Sequence, residues 1–206
     1  MKPVNIAVMI SGHGRGSNMT AIIEGCESGK INGKVVCVIG VNETAPAVAI
    51  AREHGIETVC VPPKTTESYD DVIFDTLKSR NVDLVCLAGY MRLLGAKIVK
   101  EYKNRIMNVH PALIPLFCGK GMYGIHVHTA AIEYGVKVSG ATVHFVNEEY
   151  DLGPIIAQKT VPVLDDDTPE TLAARVLEKE HECYVESVAL FSQGKLKVEG
   201  RKVVKL

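Results

Sequence analysis

The chain has no C-x-x-C pair, no long apolar run and almost no net charge, and each absence excludes a class of protein. Its six cysteines, Cys26, Cys37, Cys60, Cys86, Cys118 and Cys183, are scattered. Without paired spacing a zinc site is not expected, so no metal is assigned. Cys37, Cys60 and Cys86 lie inside apolar runs, where cysteine behaves as a small hydrophobe. All six read as reduced thiols of a cytoplasmic protein. No stretch approaches the roughly 20 apolar residues of a membrane span. The apolar run Ile6 to Ile10 behind Met1 and Lys2 is too short for a signal-peptide core. A formal net charge of -1 and the lack of a basic stripe argue against a nucleic-acid partner. Neither membrane nor nucleic acid is therefore expected to bind. A local anion site needs only a few donors and stays open. No repeat, low-complexity stretch or linker divides the 206 residues, so residues 1–206 read as one domain. At this length roughly 70% of the unfolded surface can be buried, and no staple is needed.

The first half alternates short apolar or β-branched runs with amphipathic ones. Asn5 to Ser11, Lys34 to Val41, Thr58 to Val61, Leu84 to Ala88 and Ile106 to Val109 read as strands. Asn18 to Ser28, Ala45 to His54 and Ser68 to Arg80 read as helices, with Gly55 as a stop signal. This is the spacing of βαβ units. It predicts an α/β, Rossmann-like fold: a mostly parallel twisted sheet with helices on both faces. The second half changes character. Val136 to Val146 and Ile155 to Val161 flank a Gly-Pro turn and predict antiparallel additions to the sheet edge. Asp167 to Gln193 predicts a long helix entered through Thr168 and Pro169 and ended by Gly194. Leu196 to Val198 and Val203 to Leu206 bracket Gly200 as a terminal hairpin. Ligands of such sheets bind at the carboxyl ends of the strands, where the order switches. That directs attention to the turns after Ile10, Ala88 and Val109.

The first of these turns is Ser11-Gly12-His13-Gly14-Arg15-Gly16-Ser17-Asn18. Glycines let the backbone approach a ligand, and a helix N-terminus favours an anion. Ser17 and Asn18 are candidate helix caps and donors. A phosphate suits this turn; an ordinary connector is the alternative. Gly12, Gly14 and Ser17 lack the third glycine of a dinucleotide fingerprint, and no Gly-Lys-Ser/Thr of a Walker loop is present.

The second motif is Asn108-Val109-His110-Pro111-Ala112-Leu113-Ile114-Pro115. Two residues apart on a strand, Asn108 and His110 face one side. An amide donor beside an imidazole suits acyl chemistry, in which an oxyanion develops on a carbonyl. A lone histidine before proline is also a common structural residue. Asp151, in Tyr150-Asp151-Leu152-Gly153-Pro154, would face His110 if its turn folds back over the sheet, and would then favour the imidazolium.

Asn-x-His-Pro-x-Leu-x-Pro, followed by Val143-His144-Phe145-Val146 and Asp151-x-Gly153-Pro154, resembles the folate-dependent formyltransferase family. With the Gly-Ser-Asn turn and Ala88-Gly89-Tyr90-Met91-Arg92, it is similar within that family to the glycinamide ribonucleotide formyltransferases. The similarity runs over essentially the whole chain. It implies transfer of the formyl group of 10-formyltetrahydrofolate to the amine of glycinamide ribonucleotide, without a covalent enzyme intermediate. It further implies that Asn108 holds the formyl oxygen, that His110 acts as imidazolium, and that Asp151 keeps it protonated. Gly16, Ser17 and Asn18 match the phosphate turn, and Glu180 the glutamate on the ribose. Met91, Arg92, Leu93 and Leu94, with Asn108 and Asn147, Glu148, Glu149, Tyr150 and Asp151, match the folate pocket. Plain core packing is the other reading of Met91 and Leu93, and a solvated helix charge that of Glu180. His128 and His144 match positions near the site without an assigned role. Partners are then two small molecules, and the chain is a monomer or homodimer.

Three departures accompany the resemblance. The phosphate turn is longer and contains Arg15. Thr66 stands where the family has an arginine, leaving Lys64 as a substitute anion contact. The loop Phe117 to His126 is long and glycine-rich and reads as a lid or as a surface excursion. The competing functions are a formyltetrahydrofolate hydrolase, a formyltransferase for another acceptor such as methionyl-tRNA, and a non-catalytic nucleotide-binding module.

Overall fold

Strand β1 (Val4–Ile10) sends Ile6, Val8 and Ile10 into one hydrophobic cluster and Ala7 and Met9 into another. A period of two is the signature of a strand buried on both faces. The computed structural model describes residues 2–12, 14–62 and 69–206. His13, Lys64 and Thr66, and the expected helix start at Ser68, lie outside the described residues.

After β1 the chain forms α1 (Ser17–Glu27), β2 (Gly33–Gly40), α2 (Pro46–Glu53), β3 (Thr58–Cys60), α3 (Tyr69–Ser79) and β4 (Leu84–Ala88). It continues through α4 (Ala96–Glu101), β5 (Ile106–His110), α5 (Ile125–Tyr134), β6 (Val138–Phe145) and β7 (Ile155–Pro162). It closes with α6 (Pro169–Ser192), β8 (Leu196–Glu199) and β9 (Lys202–Lys205). The strands make one sheet in the order β3-β2-β1-β4-β5-β6-β7-β9-β8. β1 to β5 pair in parallel, β6 runs antiparallel to β5, and β7 antiparallel to β6.

On one face α1, α2 and α6 bury Met19, Ile22, Val48, Tyr184 and Val188 against Ile6, Val8, Leu84 and Cys86. On the other, α3 and α4 bury Ile73, Leu77 and Ile98 against Ala7, Met9, Val85 and Leu87. The expected two-faced α/β architecture is therefore present.

Several boundaries differ from the sequence reading. The antiparallel strands β6 and β7 are not the sheet edge. The terminal hairpin joins β7 in parallel through β9 and takes the edge position as β8. Helices α4 and α5 had no counterpart in the sequence reading. α4 is short, and α5 was hidden behind the glycines of the long loop. Helix α6 does start as expected: Thr168 caps it, accepting from Thr171 N, and Pro169 occupies its first turn. The six cysteines are free, with Cys37, Cys86 and Cys183 buried.

One tyrosine fixes α6 over the strands that carry the site. Tyr184 is fully buried, and its hydroxyl lies 3.1 Å from Leu87 O on β4 and 2.9 Å from Met107 O on β5. One proton is shared between two carbonyls, and α6 is held where the two strands end. Glu180, one turn earlier, thereby projects over those carboxyl ends.

Candidate active site

A cleft of about 980 Å3 opens at the carboxyl ends of β1, β4 and β5. The chain reverses its strand order between β1 and β4, so helices leave to opposite sides and a crevice remains.

At the centre of the cleft stands Asp151. Gly153 makes its position possible: a Cβ there would overlap Phe145 O, so only glycine lets the turn after β6 fold this tightly. Asp151 itself has φ 56, in the left-handed region that aspartate tolerates better than most residues. Its Oδ2 accepts from Gly119 N at 2.9 Å and lies 3.6 Å from His110 Nδ1. Its Oδ1 lies 3.5 Å from His144 Nε2 and 3.4 Å from Asn108 Nδ2. The three residues expected to converge do converge.

His144 joins them. Antiparallel pairing sets Asn108 directly opposite His144, and Asn108 Nδ2 lies 3.2 Å from His144 Nε2. His144 Nδ1 lies 2.9 Å from Phe145 O, and a carbonyl only accepts, so Nδ1 carries a proton. Nε2 lies between Asn108 and Asp151: in the neutral ring it accepts from the amide and orients it, and when the ring is protonated it faces the carboxylate as a donor. The resemblance places His144 near the site without a role; the sequence alone does not supply this one. The signal lies in the β5–β6 register.

Electrostatics at the centre follow from burial. Burial alone would lift the Asp151 carboxyl, but His144, His110 and the Gly119 N–H together hold it below the usual carboxylate value. His110 is only 3% exposed, and burial pushes its imidazole below the ordinary value; Asp151 and the Phe117 carbonyl offset part of that. Burial thus works against the imidazolium that the resemblance implies, and Asp151 works for it. Nε2 lies 2.8 Å from Phe117 O and carries the proton, leaving Nδ1 toward Asp151. His128 also lines the cleft; burial, with His110 nearby, pushes it down to about 4.

One arm of the cleft is polar. Ser11, Gly14, Arg15 and Asn18 line it, facing Glu180 and one stripe of α6 (Ala173, Ala174, Leu177). Asn18 Nδ2 donates to Glu180 Oε2 at 2.7 Å. Glu180 is 9% exposed, so it is no solvated helix charge, and burial pushes its carboxyl up to about 7. Gly16, not Ser17 or Asn18, is the N-cap of α1, and no side chain caps that helix. Gly16 has φ 78, and a Cβ there would lie 2.7 Å from Ala47 Cβ, so the turn is fitted against α2. Gly16 and Ser17 adjoin the cleft without forming its wall.

The other arm is apolar. Met91, Arg92, Leu93 and Leu94 line it with Val146, Glu149 and Tyr150. Met91 and Leu93 are each 48% exposed, so core packing does not explain them; Leu94 is buried. Arg92 stacks its guanidinium 4.5 Å over Tyr69. Asn147 and Glu148 do not reach the wall. Asn147 Oδ1 instead accepts from Glu149 N at 3.2 Å and shapes the turn. The long loop contributes Gly119 to Ile125 to the lining and so belongs to the site. Among the described residues no group of three or more His, Cys, Asp or Glu side chains is arranged to hold a metal. No helix among them is long and apolar enough to cross a membrane.

Comparison with known proteins gives a consistent outcome. The family model described as formyl transferase matches residues 4–188. The chain is 44% identical over 196 residues to a chloroplastic phosphoribosylglycinamide formyltransferase of Arabidopsis thaliana, covering 93% of this chain and 66% of that protein. It is 37% identical over 198 residues to phosphoribosylglycinamide formyltransferase of Escherichia coli (strain K12), covering 95% of this chain and 90% of the relative. A crystal structure of glycinamide ribonucleotide transformylase 1 from Symbiobacterium toebii superposes with a TM-score of 0.92 at 42% identity, covering 100% of this chain and 95% of that one.

Proposed function

The chain belongs to the formyl transferase family, and from that premise we propose that its cleft moves the formyl group of 10-formyltetrahydrofolate onto the amine of glycinamide ribonucleotide. The products are formylglycinamide ribonucleotide and tetrahydrofolate, in de novo purine biosynthesis. The observation that carries this reading is the position of Asp151. With Asn108, His110 and His144 it stands where a polar arm suited to a ribose phosphate meets an apolar arm suited to a flat pterin.

Arg15 and the backbone of Gly16 and Ser17 receive the phosphate at the start of α1. Asn18 and Glu180 take the ribose hydroxyls. Met91 to Leu94 and Glu149 to Asp151, in a turn shaped by Asn147, hold the folate, largely through backbone groups and apolar contact. The neutral amine attacks the formyl carbon, giving an adduct with a negative oxygen and a positive nitrogen. Asn108 Nδ2 donates to that oxygen. Asp151 takes the proton from the new ammonium, and His110 Nδ1 relays a proton toward the folate nitrogen that leaves. Once protonated, His110 faces an oxyanion and Asp151, which replace the hydration it lacks at rest. Each such interaction lowers the barrier by about 3 kcal/mol.

On the same reading residues 1–206 act as one unit in the cytoplasm, as monomer or homodimer, on two small molecules. The test is to incubate the protein with formyl folate, with and without glycinamide ribonucleotide, and to follow product mass. Formylated ribonucleotide supports the proposal. Deformylation that ignores the acceptor makes the protein a hydrolase instead.

A further inference from the structure

The loop before α5 touches both titratable groups at the centre of the site, and it does so with backbone. Phe117 O accepts from His110 Nε2 at 2.8 Å, and Gly119 N donates to Asp151 Oδ2 at 2.9 Å. Three consecutive residues thus hold His110 and Asp151 from the same side. His110 Nδ1 and Asp151 Oδ2 stay 3.6 Å apart, beyond a direct hydrogen bond. A substrate atom or a water between them would meet both.

Phe117 is not glycine, yet its φ is 49, a conformation that bulky side chains avoid. Something must hold it there. Its ring packs on the small cluster of Ala131, Ala141, Val161, Leu172 and Val176. The ring also stands edge-on to Tyr134 at the end of α5, with centroids 5.8 Å apart and planes at 74°. Tyr134 is 80% exposed, so the contact closes the outer side of the loop.

We propose that Phe117 is a positioning residue for the reaction: its ring, wedged against Tyr134 and α5, holds its own backbone so that its carbonyl keeps the His110 proton on Nε2 and the bare Nδ1 toward the reacting atoms. The carbonyl touches no substrate; it acts through His110, as the orienting partner of a catalytic base does. This rests on the formyl-transfer reading for its kinetic part only. The titratable groups facing His110 are Asp151 from the turn after β6, His144 from β6 and His128 from α5, and the Phe117 carbonyl works against the last two by favouring the protonated ring.

The experiment uses the full chain labelled with 15N-histidine, unliganded, as wild type and as Phe117→Ala, Phe117→Tyr and Tyr134→Ala. In the wild type the His110 spectrum shows the Nε2–H tautomer. In Phe117→Ala the tautomers mix, the His110 titration moves to lower pH, and kcat falls by about tenfold with both KM values nearly unchanged. Phe117→Tyr restores tautomer and rate. Tyr134→Ala, a surface change, gives a smaller shift of the same sign and carries the test if Phe117→Ala does not fold. Unmoved His110 signals in a folded Phe117→Ala or Tyr134→Ala overturn the proposal, as does a Phe117→Tyr as impaired as the alanine. The spectra need no turnover, so they judge this proposal even if the acceptor proves to be another amine.

Discussion

Asn18 Nδ2 and Glu180 Oε2 lie 2.7 Å apart, although 162 residues of chain separate them. α1 packs on α6, and Tyr184 locks α6 to β4 and β5, so the amide and the carboxylate close one end of the cleft. Glu180 is buried with that amide as its hydrogen-bond partner, and its carboxyl titrates near 7 instead of 4.5. The folded state therefore holds this proton more tightly than the unfolded state. Its contribution to stability is complete below about pH 4.5 and is lost as pH rises toward 7. Glu180→Gln removes the penalty. Relative to wild type, the variant gains stability between those two values, by up to about 3 kcal/mol, while its affinity for glycinamide ribonucleotide falls. Urea unfolding of both proteins across pH checks this. A stability difference independent of pH would contradict it.

Arg15 and Gly16 make separable predictions about the same arm. Arg15→Ala raises KM for the ribonucleotide about tenfold, with folate affinity unchanged, because it removes a charged hydrogen bond to phosphate. Calorimetry with each ligand measures both. Equal losses for the two ligands would mean that Arg15 does not face the phosphate.

Gly16→Ala loses about 1–3 kcal/mol of stability, since the left-handed turn is strained for alanine and the new methyl meets Ala47. Thermal unfolding reads the cost. An alanine variant as stable as wild type would show that the turn can relax.

His144→Gln tests the residue that register brought to light. Without the imidazole the Asp151 carboxyl rises toward its ordinary value, because His144 is the largest of the influences holding it down. Activity then fails at a higher pH on the acid side, and kcat drops roughly tenfold. A pH profile with an unmoved acid limb would remove His144 from the account.

Much of this architecture was legible because local pattern and tertiary role agree. Ile6, Val8 and Ile10 against Ala7 and Met9 announce a strand buried on both faces, and Thr168-Pro169 announces the start of α6. Asn108 and His110 share a face by strand period alone. The parts that were missed depend on tertiary placement. His144 is placed near the site by resemblance, but its role comes from its pairing with Asn108. Glu180 was singled out by resemblance, but only its burial under α1 decides against a solvated helix charge. The charge of His110 was read from its neighbour Asp151, whereas the burial that opposes that charge is set by tertiary packing. α5 was hidden because Gly119, Gly121 and Gly124 make residues 117–126 read as uninterrupted loop. Asn147 and Glu148 matched a motif, yet the turn uses the Asn147 side chain for its own backbone.

The most direct test of the central claim is the steady-state kinetics of Asp151→Asn in the formyl-transfer assay. The asparagine keeps the shape of the turn and removes the charge around which Asn108, His110 and His144 gather. The account predicts that kcat falls by at least about a hundredfold while both KM values change little. A variant with wild-type kcat and only a raised KM would contradict it, and would make Asp151 a binding residue.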